Sequence, residues 1–179
     1  MKQITFIAVA IFIATIMTAC GQTSRYVPEG WKKLETHEFS ILYPDTFELT
    51  YGVMVGTRFV LLAPQSSPDD MFRENVNLRI YDLRSLNISF DNLIENTKGF
   101  LTRFVTDIKF IENKRIENDD LTFHSIIVTG KQGLFNLKWL QRIMYKNGRA
   151  YNFTFTAEAE QFDNYIEVAT KIMDSFKFR

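Results

Sequence analysis

Residues 134–156 read LFNLKWLQRIMYKNGRAYNFTFT, and no other stretch of the sequence says as much about the fold. Two runs rich in aromatic and β-branched residues flank the dipeptide Asn147-Gly148, which is a strong local signal for a tight hairpin turn. Strands joined by so short a turn pair in antiparallel orientation. The stretch therefore predicts a β-hairpin within an antiparallel sheet.

Two turn lengths are compatible with this hairpin. A two-residue type I′ loop places Lys146 opposite Arg149 and sets Arg142 among aromatic side chains. A three-residue loop shifts the register by one residue, puts Tyr145 opposite Arg149 and gathers the apolar side chains on one face. Because cross-strand aromatic and β-branched pairs contribute roughly 0.2–1 kcal/mol each, we predict the three-residue loop with a bulge and with Gly148 in the left-handed region.

The rest of the chain supplies further strands and two helices. Strand signals cover residues 38–43, 57–63, 75–83, 110–117 and 121–129. Helical periodicity covers residues 93–108, with Ser89 as a candidate N-cap, and residues 162–176. Strands 121–129 and 134–146 carry apolar residues on both faces, and each helix needs an apolar surface to cover. We predict an α+β fold: an α/β/α sandwich with a central antiparallel sheet of about six to seven strands and helices on both faces.

The N-terminus has the three parts of a secretory signal peptide. Lys2 supplies a positive charge, residues 4–17 form an uncharged run of fourteen, and small residues lead up to Cys20. The run is shorter than the roughly 20 residues of a membrane-spanning helix. Residues 17–20 (MTAC) resemble a lipobox, whose cysteine receives acyl chains such as palmitate. We expect residues 1–19 to be removed and Cys20 to be the lipidated first residue. An uncleaved anchor is the alternative.

The residues after Cys20 predict a short tether and one domain. Removal of residues 1–19 leaves 160 residues, a length that suits a single hydrophobic core. Residues 20–30 are polar and lack an apolar period, so we assign them to the tether and residues 31–179 to the domain. The 160 residues that remain carry 20 basic and 21 acidic side chains, so their charges nearly balance. A nucleic-acid binder normally has a basic excess, so we expect no nucleic-acid partner.

The sequence contains no known motif for catalysis or phosphate binding. Its two histidines, His37 and His124, lack the spacing of a zinc protease, and with Cys20 acylated no His/Cys metal set can be assembled. His37 near Ser40 is a candidate for activating a hydroxyl, with a polar residue in a turn as the alternative interpretation. His124 is interpreted as an exposed or hydrogen-bonded strand residue. We expect no enzyme activity, no cofactor and no metal.

Two acidic segments are the remaining candidates for holding a hard cation. Residues 118–120 (NDD) are better interpreted as a hairpin turn, and Asp69 and Asp70 with Glu74 as a solvated loop. Neither segment has the alternating ligand spacing of a calcium loop. Residues 130–133 (GKQG) predict a turn that is too short to cradle a phosphate.

Several strand edges and turns occur together in a familiar order. Trp31 leads into residues 39–47 (FSILYPDTF), residues 72–80 (FRENVNLRI) follow, and residues 174–178 (DSFKF) close the chain. This pattern resembles the PsbP-like superfamily over roughly residues 31–178. The resemblance implies an α/β/α sandwich with a central antiparallel sheet, and a non-enzymatic domain that docks on or supports other proteins. It implies no binding residue.

Localisation, architecture and resemblance together favour a non-enzymatic envelope lipoprotein that acts as a protein-interaction or accessory module. Its expected partners are the membrane, through the lipid on Cys20, and an envelope protein. Gly21 rather than Asp follows the cysteine, which favours the outer membrane facing the periplasm. Two alternatives stay open: a small-ligand or metal-binding lipoprotein, and a hydrolase that uses His37 or His124.

Overall fold

The structure is a computed structural model that describes residues 26–52, 55–117 and 122–179. Cys20, the predicted signal peptide and residues 118–120 lie outside the described residues. The elements follow in the order β1 (Trp31–Glu35), β2 (Phe39–Pro44), β3 (Glu48–Thr50), β4 (Thr57–Leu62), β5 (Asn75–Asp82), α1 (Phe90–Phe104), β6 (Thr106–Glu117), β7 (Thr122–Gln132), β8 (Phe135–Lys146), β9 (Arg149–Glu158), α2 (Phe162–Asp174) and β10 (Lys177–Phe178).

The strands form one large and one small antiparallel sheet. The seven-stranded sheet has the order β3-β4-β5-β9-β8-β7-β6, which confirms the predicted antiparallel sheet of about six to seven strands. The small sheet has the order β1-β2-β10 and was not predicted, because β1 and β10 are short and β10 pairs with a strand from the other end of the domain. Strand 75–83 alternates as predicted, with Val76, Leu78 and Ile80 buried.

The predicted register of the β8–β9 hairpin is wrong. Lys146 pairs with Arg149 and Arg142 with Phe153, so the loop has two residues. Asn147 and Gly148 have φ angles of 52° and 71°, as a type I′ turn requires. Gly148 therefore lies in the left-handed region as predicted, but without the bulge. The turn geometry outweighed the apolar cross-strand pairs, because the polar residues in this register found partners elsewhere in the fold.

The buried residues form two clusters, and alternate residues of β8 contribute to different clusters. Leu140 and Met144 belong to the first, together with the apolar residues of α2. Trp139 and Ile143 belong to the second, together with Ile94 and Leu101 of α1. Since successive side chains of a strand point to opposite faces, both faces of the central strands contribute buried apolar side chains.

Helix α1 begins where the sequence predicts and ends earlier. Ser89 caps it by accepting a hydrogen bond from the backbone N–H of Asn92 at 3.2 Å, so the predicted N-cap is confirmed. The periodicity predicted a helix as far as residue 108, but Val105 is extended (φ −109°, ψ 120°) and leads directly into β6. Val105 and Ile108 still pack against the second cluster, which explains their apolar spacing.

The large sheet has two ends, which strand β9 defines. At the Arg149 end, Arg149 pairs with Asp82 and with Lys146. At the Glu158 end, β3 begins with Glu48 opposite Leu62. A turn connects the last residue of β2, Pro44, to β3 at this end. In it the backbone N–H of Phe47 donates to the carbonyl oxygen of Pro44. Strand β1 starts with Trp31 opposite Pro44, so the domain begins at the Glu158 end.

Candidate functional site

A cleft of about 310 Å³ lies at the Arg149 end of the sheet. Its walls are the β8–β9 turn, the loop between β1 and β2, and β10. Four cations line it, and we call it the basic cleft after them: Arg84, Lys146, Arg149 and Arg179. Glu38 is the one carboxylate side chain among its lining residues. The arrangement concentrates positive charge at one end of an otherwise nearly neutral chain.

Ion pairs hold most of these cations in place. Arg149 donates to Glu38 at 2.5 Å, and Arg58 reaches the same carboxylate from β4 at 3.4 Å. Arg84 donates through Nε to Asp82 at 2.9 Å. The hydrogen bonds from Arg84, assisted by the charge of Arg149, lower the pKa of Asp82 to about 2. The guanidinium group of Arg84 is therefore positioned by a carboxylate that stays charged across the neutral pH range.

Aromatic rings form the apolar wall of the basic cleft. The ring of Phe178 packs edge-to-face against Tyr151 and Phe176, each at 4.9 Å between centroids. The ammonium of Lys146 lies 4.1 Å from the centroid of Phe178. Cation–π contacts at exposed sites are worth about 0.5–1 kcal/mol. Phe178 thus fixes Lys146 at the cleft without neutralising its charge.

The candidate residue His37 lies in the exposed loop between β1 and β2 and lines the basic cleft. Its proposed partner Ser40 is 3 % exposed within β2, where it pairs with Glu35 and Lys177. The structure thus places His37 in the predicted turn and Ser40 in the interior of the small sheet. His37 adds a titratable polar group to the cleft wall.

His124 lies far from His37, on β7. Its Nε2 is 2.6 Å from Oδ1 of Asn113 on the neighbouring strand β6, which matches the hydrogen-bonded interpretation. Partial burial, followed by the charges of Arg115 and Lys98, lowers the pKa of His124. The side chain is therefore neutral at neutral pH and serves as a cross-strand hydrogen-bond partner.

A second cleft, of about 490 Å³, lies at the Glu158 end and is acidic. Asp70 lines this cleft, and its carboxylate forms hydrogen bonds within its own loop. It accepts hydrogen bonds from the backbone N–H of Ser66 at 2.9 Å and of Phe72 at 3.1 Å, which lower its pKa. No group of three or more potential metal ligands occurs among residues 26–52, 55–117 and 122–179. The loop around Asp70 is thus explained by its internal hydrogen bonds.

Glu74 is not the solvated residue that the sequence predicted. It is 4 % exposed, and its Oε1 has no hydrogen-bond partner among protein atoms. Burial raises the pKa of Glu74, and the nearby charges of Asp70 and Glu158 raise it further. The prediction failed because Glu74 directly precedes β5, and the pairing of that strand carries it into the interior.

The predicted turn at residues 130–133 is shorter than expected. Strand β7 continues through Gln132, so Gly133 and Leu134 alone form the turn. Gly130 lies within β7 and allows a close approach, because a Cβ there would lie 2.4 Å from Cγ1 of Val105. Its role is packing and not ligand binding.

No helix in the described part of the chain is long and apolar enough to cross a membrane.

Comparison with known proteins gives a match in structure alone. No family model and no curated protein matches the sequence. The solution structure of cyanobacterial PsbP (CyanoP) from Synechocystis sp. PCC 6803 superposes with a TM-score of 0.60 at 14% identity, over 91% of this chain and 99% of that one. The chain has the PsbP-like fold.

Two further structures share this PsbP-like fold. LpqN, involved in cell envelope biogenesis of Mycobacterium tuberculosis, has a TM-score of 0.60 at 8% identity, over 83% of this chain and 90% of that one. PA94 from Pseudomonas aeruginosa, a protein of unknown function, has a TM-score of 0.57 at 11% identity, over 81% and 94%. At these identities the likeness establishes the fold and no shared residue role.

The basic cleft was not predicted from the sequence. Its cations come from the segment after β5, from β8 and β9, and from the residue that follows β10, so no local run of positive charge reveals them. The one local signal was the pair of cations flanking Asn147-Gly148. The repulsion expected between these two cations argued against the two-residue loop, whereas in the structure both cations line the basic cleft.

Proposed function

We propose that the protein is a non-catalytic, lipid-anchored accessory protein of the bacterial cell envelope that acts by binding. The basic cleft carries this proposal, because its groups are guanidinium, ammonium and aromatic side chains held by ion pairs, which suit recognition better than proton transfer. The fold shared with LpqN, involved in cell envelope biogenesis, supports the same setting.

The sandwich with one helix on each face of the sheet belongs to this proposal. It is supported by the division of the buried residues into one cluster with α2 and another with α1. Such a double-sided core is rigid, which suits a domain that presents a surface to a partner. The exposed ends of the sheet are then the surfaces available for contacts.

The lipid anchor on Cys20 would orient the domain. Strand β1 begins at the Glu158 end, so the tether of residues 20–30 joins the domain there. Ten residues after Cys20 span at most about 35 Å when fully extended. The basic cleft lies at the opposite end and would face away from the membrane. Gly21 after the cysteine supports the outer membrane, with the domain in the periplasm.

Membrane fractionation of a Cys20→Ala variant tests the anchor. We expect the variant to leave the membrane pellet and to keep its circular dichroism spectrum, because Cys20 is not part of residues 31–179, to which we assign the domain. A variant that still pellets after a salt wash contradicts the lipid anchor. For the wild-type protein, density-gradient separation of the two membranes tests the outer-membrane assignment, and recovery with the inner membrane contradicts it.

A panel of esterase, phosphatase and peptidase substrates tests the non-catalytic part of the proposal. We expect no turnover, because His37 lies exposed in a loop and His124 is hydrogen-bonded to Asn113. His37→Ala and His124→Ala serve as matched variants. Turnover that either substitution abolishes would establish the hydrolase alternative instead.

A small-ligand-binding lipoprotein is the second candidate function, and the basic cleft is the observation that favours it. The cleft's volume of about 310 Å³ is at the lower end of the range for small-molecule sites, roughly 300–1,000 Å³. Its charge selects for anions. The two candidates differ in whether the bound group belongs to a free molecule or to a protein surface.

A further inference from the structure

We propose that the basic cleft binds an oxyanion, a phosphate or carboxylate group, between Lys146 and Arg149. This rests on the proposed binding function, because it names the ligand class of the same cleft, but it does not depend on the lipid anchor. A failure of anion binding would leave the membrane assignment intact, and a failure of the anchor would leave the cleft intact.

The charge balance at the cleft is the first argument. Arg179 is paired with Glu35 at 2.6 Å and can be set aside. The remaining lining cations are Arg84, Lys146 and Arg149. Arg84 pairs with Asp82, and Arg149 shares the carboxylate of Glu38 with Arg58, which is not among the lining residues. Positive charge therefore exceeds negative charge at one end of the sheet, and a bound oxyanion would balance it.

The hairpin register is the second argument. The two-residue turn sets Lys146 directly opposite Arg149, with Cβ atoms about 4.5–5.5 Å apart in such pairs. Like charges placed directly across two strands are destabilising. Proteins accept such local conflicts mainly at functional sites. An oxyanion between the two side chains would convert the repulsive pair into two charge-assisted hydrogen bonds.

The donors of Lys146 are the third argument. Its ammonium lies over the ring of Phe178 and takes part in none of the ion pairs of the described residues. An ammonium carries three N–H donors, and an aromatic ring engages the charge without accepting a conventional hydrogen bond. Lys146 is thus held in position with donors free for a ligand.

The groups around the two cations suggest how a ligand would be held. Arg84 lies over the turn, because a Cβ on Gly148 would stand 2.5 Å from its Cγ. Tyr151 and Phe178 also line the cleft, and their rings pack against each other. The cleft can therefore hold a phosphate or carboxylate group at its cations and contact an apolar substituent through the rings.

Nuclear magnetic resonance titration of the full chain in a non-ionic detergent tests the proposal. Inorganic phosphate and acetate are the two probes, and sodium chloride at matched ionic strength is the control. We expect saturable shifts at the amides of residues 146–149 and 178–179. A charged hydrogen bond is worth about 1.5–3 kcal/mol, so Lys146→Gln should weaken binding about tenfold or more.

Lys131→Gln is the matched control variant, because it removes the same charge at the Glu158 end, where Lys131 pairs with Asp107 at 3.1 Å. It should bind the probes as the wild type does. Shifts that do not saturate, that chloride reproduces, or that both variants lower equally would overturn the proposal. A stronger response to phosphate than to acetate would identify a phosphate site, and the reverse a carboxylate site.

Discussion

Lys146 lies directly opposite Arg149 across a two-residue turn, and each cation is stabilised by a residue from a distant part of the chain. The ring of Phe178 holds the ammonium of Lys146, and the carboxylate of Glu38 accepts from Arg149. Phe178 lies on β10, and Glu38 directly precedes β2. These two strands pair with each other in the small sheet. The small sheet therefore positions both cations of the hairpin as well as covering its apolar face.

Replacement of Gly148 by Val should destabilise the protein by roughly 2–4 kcal/mol, measured by urea denaturation. Two costs add: strain at a φ of 71°, about 1–2 kcal/mol, and displacement of Arg84, whose Cγ would lie 2.5 Å from the new Cβ. Gly30→Val is the control, because Gly30 has a φ of 75° and nothing within 4 Å of its Cβ position. Equal losses in both variants would show that the Arg84 contact contributes nothing.

Glycine replacements by Ala at residues 99 and 130 should act in opposite directions. Gly99 lies within α1 with open space at its Cβ position, so Gly99→Ala should raise the free energy of unfolding by about 0.5–1 kcal/mol.

In Gly130→Ala the new Cβ would meet Val105 and lie 2.8 Å from the carbonyl oxygen of Thr106, so we expect the free energy of unfolding to fall by about 1–3 kcal/mol. Urea denaturation measures both, and a gain at residue 130 would contradict the close packing of β6 and β7.

Neutralising Glu38 should cost more than neutralising an exposed carboxylate. The Glu38 side chain is 14% exposed and pairs with Arg149 and Arg58, so Glu38→Gln leaves two cations without their partner. We expect a loss of about 1–3 kcal/mol in thermal or urea unfolding. Glu95→Gln is the control, because Glu95 is 68% exposed and its pair with Lys98 is worth at most about 1 kcal/mol. Similar losses in the two variants would show that the Glu38 network adds no stability.

Local signals in the sequence predicted the longer strands, both helices and the N-cap at Ser89, because periodicity and capping act over a few residues. They did not predict the short strands β1, β3 and β10. The hairpin register needed contacts that sequence spacing does not reveal. Arg142 was expected to be costly among aromatic residues, yet it pairs with Asp174 of α2 and lies 4.9 Å from the ring centroid of Phe123. Partners contributed by distant elements removed the penalty on which the predicted register depended.

The candidate site was harder to predict than the fold, and for the same reason. The cations of the basic cleft are separated by up to 95 positions between Arg84 and Arg179 and meet only when β10 pairs with β2. Single titratable residues were visible in the sequence, but their burial was not. Glu74 was expected in a solvated loop, whereas strand pairing buries it.

Glu74 should make the stability of the protein depend on pH in a direction opposite to that of an ion-paired carboxylate. Desolvation raises the folded-state pKa of Glu74 above its usual value of 4.5. The folded protein then retains a proton that the unfolded chain has released, so the stabilising contribution is complete below the unfolded pKa and is lost as pH rises through the folded pKa. Above about pH 4.5, the wild type should therefore lose stability relative to a Glu74→Gln variant, whose amide stays neutral.

Urea denaturation of the wild type and Glu74→Gln across pH 4–8 measures this effect as a difference in the free energy of unfolding. The variant should gain on the wild type as pH rises, because its buried amide avoids the cost of an ionised carboxylate whose Oε1 has no partner. Glu160→Gln, at an exposed position just before α2, should show no such trend. A difference that stays constant with pH for Glu74→Gln would mean that Glu74 ionises in the folded protein as readily as in the unfolded chain.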